Sequence, residues 1–78
     1  MKKSRHSKKY QRVLGSLKKA RQSTGLTQAE VGHKFGAHAS FVSKIESGER
    51  RIDVVELAQF CRIYGVKLSA FLIDAGLE

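Results

Sequence analysis

The sequence predicts an all-α domain of five short helices. Three observations carry this: apolar residues recur every three or four positions with no alternating strand pattern, proline is absent, and glycines separate the periodic stretches. With 78 residues, the chain has room for one core and one domain. Its 41% hydrophobic and 8% aromatic content suits a folded unit rather than a disordered one.

Each helix has its own start and stop. Tyr10, Val13, Leu14, Leu17, Ala20 and Arg21 share one face of a first helix over about residues 7–23, which Gly25 ends. Thr27-Gln28-Ala29-Glu30 is a capping box: the threonine hydroxyl and the glutamate carboxylate each satisfy a backbone N–H that the first turn would otherwise leave unpaired. The short helix it opens is stopped by Gly36. A third helix is expected over about 38–47, ending at Gly48. Asp53-Val54-Val55-Glu56 is a second cap signature, starting a helix with Leu57, Phe60, Cys61 and Tyr64 on one face and Gly65 behind it. The last helix covers roughly 68–75 before Gly76. Residues 1–9 carry five basic groups and no core-forming residue after the start methionine, so they are expected as a flexible basic tail, with residues 10–78 as the domain.

Composition removes several classes of function. No apolar run approaches the roughly 20 residues needed to span a bilayer, and the N-terminus leads into no signal-peptide core; a cytoplasmic location is expected. The single Cys61 forms no intramolecular disulfide and no cysteine-based metal cluster. The three histidines, at 6, 33 and 38, fall in the tail, on a polar helix face and at a turn. No nucleophile, base and orienting group come together, so neither enzymatic activity nor a metal or cofactor is expected.

Charge points toward a partner. The net charge is +8, with 15 basic against 7 acidic residues, and residues 1–44 hold eleven basic groups and one acid, Glu30. The remaining 34 residues are net negative. Such asymmetry suits a phosphate-backbone partner. Solubility alone is the plainer explanation. An anionic membrane surface would want bulky apolar residues exposed on a basic helix.

The segment from Gln28 to Ser47 holds two short helices around Gly36. Ala29 and Gly32 are small residues where two helices would cross closely, and Val31, Phe35, Val42 and Ile45 are apolar residues that would face the remaining domain. This is the spacing of a helix-turn-helix, whose second helix enters the DNA major groove.

Leu26-Thr27-Gln28-Ala29-Glu30, then Gly36, then Val42-Ser43-Lys44-Ile45-Glu46-Ser47-Gly48-Glu49-Arg50 together resemble the Cro/phage-repressor (XRE-type) helix-turn-helix family. Gly65-Val66-Lys67-Leu68 is similar to that family's junction between its fourth and fifth helices. The resemblance spans about residues 13–72. It implies a five-helix, lambda-repressor-like domain that binds operator DNA, usually as a dimer, to regulate transcription. It also implies base reading by Ala39, Ser40 and Lys44. Backbone or phosphate contact is implied for Gln28, His38, Phe41, Ser43, Ser47, Arg50 and Arg51. An ion pair between Arg21 and Glu46 is implied as well.

Four positions depart from the pattern. His38 stands at the expected cap of the third helix, where Ser, Thr, Asn or Asp is favoured; a solvated turn histidine is its alternative role. Gly32 stands inside the second helix at a cost of about 0.5 to 1 kcal/mol. Lys67 replaces a capping serine, which leaves Ser69 as the expected cap. Phe41 is a large aromatic on a helix otherwise exposed to DNA, and core packing is its plainer alternative.

The expected function is that of a transcriptional regulator, a repressor or autoregulator, on double-stranded DNA. A protein-interaction adaptor or an antitoxin on the same fold is the alternative, with a toxin or another regulator as protein partner. Val55, Ile63, Ile73 and Leu77 find no obvious place in the core and are expected at a homodimer interface. The site would then be an inverted repeat with half-sites roughly 10 base pairs apart.

Overall fold

Ser7, at the start of the chain's first helix, accepts the Tyr10 N–H on its side chain at 3.1 Å. The structure is a computed structural model and describes residues 7–78. Five helices and no strand lie among them: α1 (Lys8–Thr24), α2 (Gln28–Phe35), α3 (Phe41–Glu46), α4 (Val54–Tyr64) and α5 (Leu68–Asp74). Lys8 and Lys9, where the expected tail and the expected first helix overlap, belong to α1, because the Ser7 cap sets the helix start. Residues 1–6 of the expected tail lie outside the described residues.

Both capping boxes form. Thr27 Oγ1 accepts the Glu30 N–H at 3.0 Å while Glu30 Oε1 accepts the Thr27 N–H at 2.8 Å. Asp53 and Glu56 make the same exchange at 2.7 and 3.1 Å. Gly36 stops α2 in the left-handed region at φ 70°, where a side chain would be strained. At α5 the cap residue is Lys67, with no side-chain cap bond, and Ser69 falls inside the first turn; extended backbone at Lys67 starts the helix without help from the serine.

Val31, Val42 and Ile45 have no exposed surface, and with Leu17 and Phe60 they are the most deeply buried of the large side chains. They bind α1, α2 and α3 around α4, and Phe71 and Ala75 bring α5 onto the same core. Cys61 is part of this core, and burial pushes its thiol and the Tyr64 phenol up from their ordinary pKa values. Gly32 is buried at the α2–α3 junction, where an added Cβ would lie 3.3 Å from the His38 carbonyl oxygen. Ala29, expected at that crossing, is exposed; one residue of the pair suffices because the turn, rather than α3 itself, makes the close approach. No helix of the described residues is long and apolar enough to cross a membrane.

Candidate nucleic-acid interface

The third helix begins later than its periodicity suggests. The Phe41 N–H bonds to the His38 carbonyl at 3.0 Å, closing a tight turn over 38–41, and the helix proper starts at Phe41. Ala39 and Ser40 therefore sit in the turn rather than on the helix. Ser40 is the cap residue and makes no side-chain cap bond. His38 serves the turn instead: its Nδ1 accepts the Ser40 N–H at 3.2 Å and lies 3.0 Å from Ser40 Oγ. An acceptor at Nδ1 puts the ring's proton on Nε2, a donor on an exposed residue.

Ser40 and Lys44 are one turn apart, joined by the Lys44 N–H on the Ser40 carbonyl at 3.0 Å. Among the described residues the Lys44 ammonium has no hydrogen-bond or ion-pair partner, and the residue is exposed. Ala39 is also exposed. Opposite them, Val42 and Ile45 are wholly buried, so one side of α3 is anchored and the other faces solvent. The Ser43 hydroxyl donates to the Ser40 carbonyl at 3.0 Å and the Ser47 hydroxyl to the Lys44 carbonyl at 3.1 Å. Each hydroxyl bonds to the backbone carbonyl three residues before it.

Three residues that the resemblance placed on phosphate or sugar have other partners. Gln28 Nε2 donates to Glu46 Oε1 at 2.9 Å, so its amide closes the junction of α2 and α3. The Phe41 ring packs 5.0 Å from Phe35 and lies parallel to Phe60 at 6.2 Å, half-buried against the core. Arg50 grips Glu56 through both terminal nitrogens at 3.0 and 2.9 Å, and its guanidinium lies 4.9 Å over the Phe41 ring. In each case a nearby carboxylate or aromatic in the folded chain offers a partner that sequence spacing does not reveal. The fork raises the Arg50 pKa and lowers that of Glu56, against the opposing effect of burial.

The Arg21–Glu46 pair forms, with Nε to Oε2 at 2.7 Å and Nη2 to Oε1 at 3.1 Å. Arg21 Nη1 also donates to the Leu26 carbonyl at 3.0 Å. The side chains are only 12% and 6% exposed, and the Glu46 bond raises the Arg21 pKa further despite burial. One carboxylate thereby joins α1, α2 and α3.

Tyr10 is a second strut, and its polar tip was the signal for it: buried aromatics with a hydroxyl usually find a partner. Its hydroxyl accepts the Ile52 N–H at 3.1 Å, and the exposed Arg51 guanidinium lies 5.0 Å over its ring. This holds Arg51 beside the basic first turns of α1, where Lys8, Lys9 and Arg12 are exposed.

Away from this face, Val55, Ile73 and Leu77 are 66%, 60% and 45% exposed. Ile63 is half-buried and packs against the core, because α4 turns that residue toward the cluster around Phe60. Val54, not among the residues expected at the interface, is 69% exposed beside Val55. Tyr10 reaches Ile52, just before α4, and the Arg12 guanidinium lies against Gly76, just after α5. The first turns of α1 thus adjoin both the start of α4 and the end of α5. Among the described residues, no three or more His, Cys, Asp or Glu are grouped to hold a metal ion.

Residues 15–70 match the family model described as a helix-turn-helix domain. No curated protein matches the chain. Among solved structures, the chain is similar to an XRE-family like protein from Pseudomonas syringae pv. tomato str. DC3000, at 43% identity, over 87% of this chain and 83% of that one, with a TM-score of 0.82. The five-helix order, the paired helices α2 and α3 and these likenesses agree, and the chain belongs to the XRE-type helix-turn-helix family of DNA-binding regulators.

Proposed function

We propose that this protein is a sequence-specific regulator of transcription that docks α3 in the major groove of operator DNA and represses from there, its own gene included. One observation carries the reading. The Ala39–Ser40 turn and the unpartnered Lys44 lie on the side of α3 opposite fully buried Val42 and Ile45, so a polar edge is held rigidly toward solvent. Lysine can donate to guanine O6 and N7, serine can serve several bases, and the alanine methyl can touch a thymine methyl. Arg51, held on Tyr10, and the Nε2–H of His38 flank that edge as phosphate donors. Val54, Val55, Ile73 and Leu77 supply the apolar surface for a homodimer. Two copies related by a twofold axis would read an inverted repeat with recognition helices about 34 Å apart.

Selection of bound duplexes from a random library, followed by anisotropy titrations across salt concentrations, tests this. Enrichment of an inverted repeat, with an affinity that falls steeply with salt as phosphates release counterions, is the expected result. Salt-insensitive association without an enriched sequence would overturn it and favour an adaptor. Sedimentation equilibrium of Ile73→Asp should show the dimer lost.

A further inference from the structure

Arg50 sits where family spacing puts a phosphate contact, yet the fold uses it at two points on α3 and one on α4. Its backbone N–H bonds to the Lys44 carbonyl at 3.0 Å, closing the C-terminal end of the helix. Its guanidinium covers Phe41, the helix's first residue, at 4.9 Å. Its fork holds both oxygens of Glu56, and Nη1 also donates to the Arg51 carbonyl at 2.9 Å. Glu56 is itself fixed, since its Oε1 accepts the Asp53 N–H in the capping box of α4.

The third helix needs such a fastening. Its six residues are too few to hold a helix by themselves, and its cap residue Ser40 contributes no side-chain bond. It packs chiefly on α1 and α2; beside the core it shares with α4, it is linked to that helix by the Phe41–Phe60 stack and the Arg50–Glu56 fork. We propose that Arg50 is a positioning residue that sets the angle of α3 against α4, and that it is not a phosphate ligand. The inference rests on the DNA-binding reading above for its effect on recognition. The Nη1/Nη2 edge of the guanidinium is taken by Glu56, and a phosphate could claim that edge only by leaving a mostly covered carboxylate without its cation, with the Asp53 N–H still bonded to it.

The two roles give different salt behaviour. A phosphate ligand contributes about 0.9 to the slope of log affinity against log salt for each bound copy, whereas a positioning residue contributes nothing to it. Titrations would compare wild type with Arg50→Ala, Arg50→Lys, Glu56→Gln and the double variant Arg50→Ala/Glu56→Gln, on the selected duplex and on a random one. Circular dichroism would check that each variant folds. Both single alanine and glutamine variants should lose about tenfold in affinity for the selected duplex, a fraction of the base contacts being misaligned. The slope and the affinity for random duplex should stay at their wild-type values. The double variant should be no worse than either single one, because the partners act as a unit. Arg50→Lys should not rescue, since a point ammonium makes neither the fork nor the stacked contact.

A slope reduced by about 0.9 per copy in Arg50→Ala, with equal losses on both duplexes and none in Glu56→Gln, would overturn the proposal and make Arg50 a phosphate contact. Amide chemical shifts of the free protein decide the matter without DNA. Displaced signals over Phe41–Glu46 in both Arg50→Ala and Glu56→Gln support the fastening, and unmoved ones refute it. A wild type that binds no duplex would refute the DNA-binding reading instead, with the free-protein shifts still deciding the role of Arg50.

Discussion

Two arginine forks hold α3, one at each side, and they differ mainly in burial. Arg21–Glu46 joins α1 to α3 with side chains 12% and 6% exposed, and Gln28 adds a third bond to the same carboxylate. Arg50–Glu56 joins the α3–α4 linker to α4 with side chains 43% and 18% exposed. The chemistry is the same, but the consequence of losing a partner is not. A charge stranded inside the domain cannot recover its hydration, while one at the surface can. The inner fork thus belongs to folding and the outer one to alignment.

The hardest test of that contrast is Glu46→Ala. It strands Arg21 and removes the acceptor of Gln28, and it should lower unfolding free energy by about 3 to 5 kcal/mol, read from urea or thermal melts. A loss under about 1 kcal/mol would put the two forks in one class. Next in size is Lys44→Ala, which touches neither fork. It should cost about 1 to 3 kcal/mol of discrimination between operator sequences while the melting curve stays unchanged; an unaltered ranking of sequences would mean that α3 presents a different edge.

Acid separates the forks by a smaller effect. The Arg50 fork, and behind it the Asp53 N–H, hold the Glu56 carboxyl below its ordinary value of 4.5. A depressed acid stabilises the fold above its unfolded pKa and ceases to do so as pH falls through the folded one. Wild-type stability should therefore decline as pH drops below about 4.5. Glu56→Gln should decline less steeply there, since it has no proton to take up. Equal declines in the two proteins would show that the outer fork contributes no net stability.

The smallest expected change is at Gly32, next to neither fork. Alanine there recovers the roughly 0.5 to 1 kcal/mol that glycine gives up in a helix. Its Cβ, however, would lie 3.3 Å from the His38 carbonyl and push the turn that carries Ala39 and Ser40. Net stability should move by less than about 0.5 kcal/mol as the two effects offset. Beyond residue 32 and its immediate neighbours, amide shifts should move in the 38–41 turn.

Much of the fold was legible because its signals are local. Capping boxes at Thr27–Glu30 and Asp53–Glu56, glycines behind α1, α2 and α4, and the stripe from Val13 to Leu17 each act within a few residues of their cause. Legibility fell where a short segment has two local solutions. The 38–41 turn and a first helical turn share a periodicity, so periodicity alone starts α3 three residues early, and the Phe41 N–H on the His38 carbonyl distinguishes them. Ile63 and Val54 show the same limit on α4. Both are apolar, and which one faces the core depends on where Phe35 and Phe60 come to lie.

By itself, the sequence determined the all-α class, the caps and stops of most helices, the basic front half and the family. Each of these follows from spacing along the chain or from composition. Tertiary structure decided which polar side chains remain available to a partner. Gln28, Phe41 and Arg50 have the right types and spacing for a nucleic-acid backbone, yet each is engaged by a residue 18, 19 or 6 positions away. Lys44 is left without such a partner among the described residues. A polar group's first partner is the one that folding brings within about 3 Å, and distance along the chain says nothing about that.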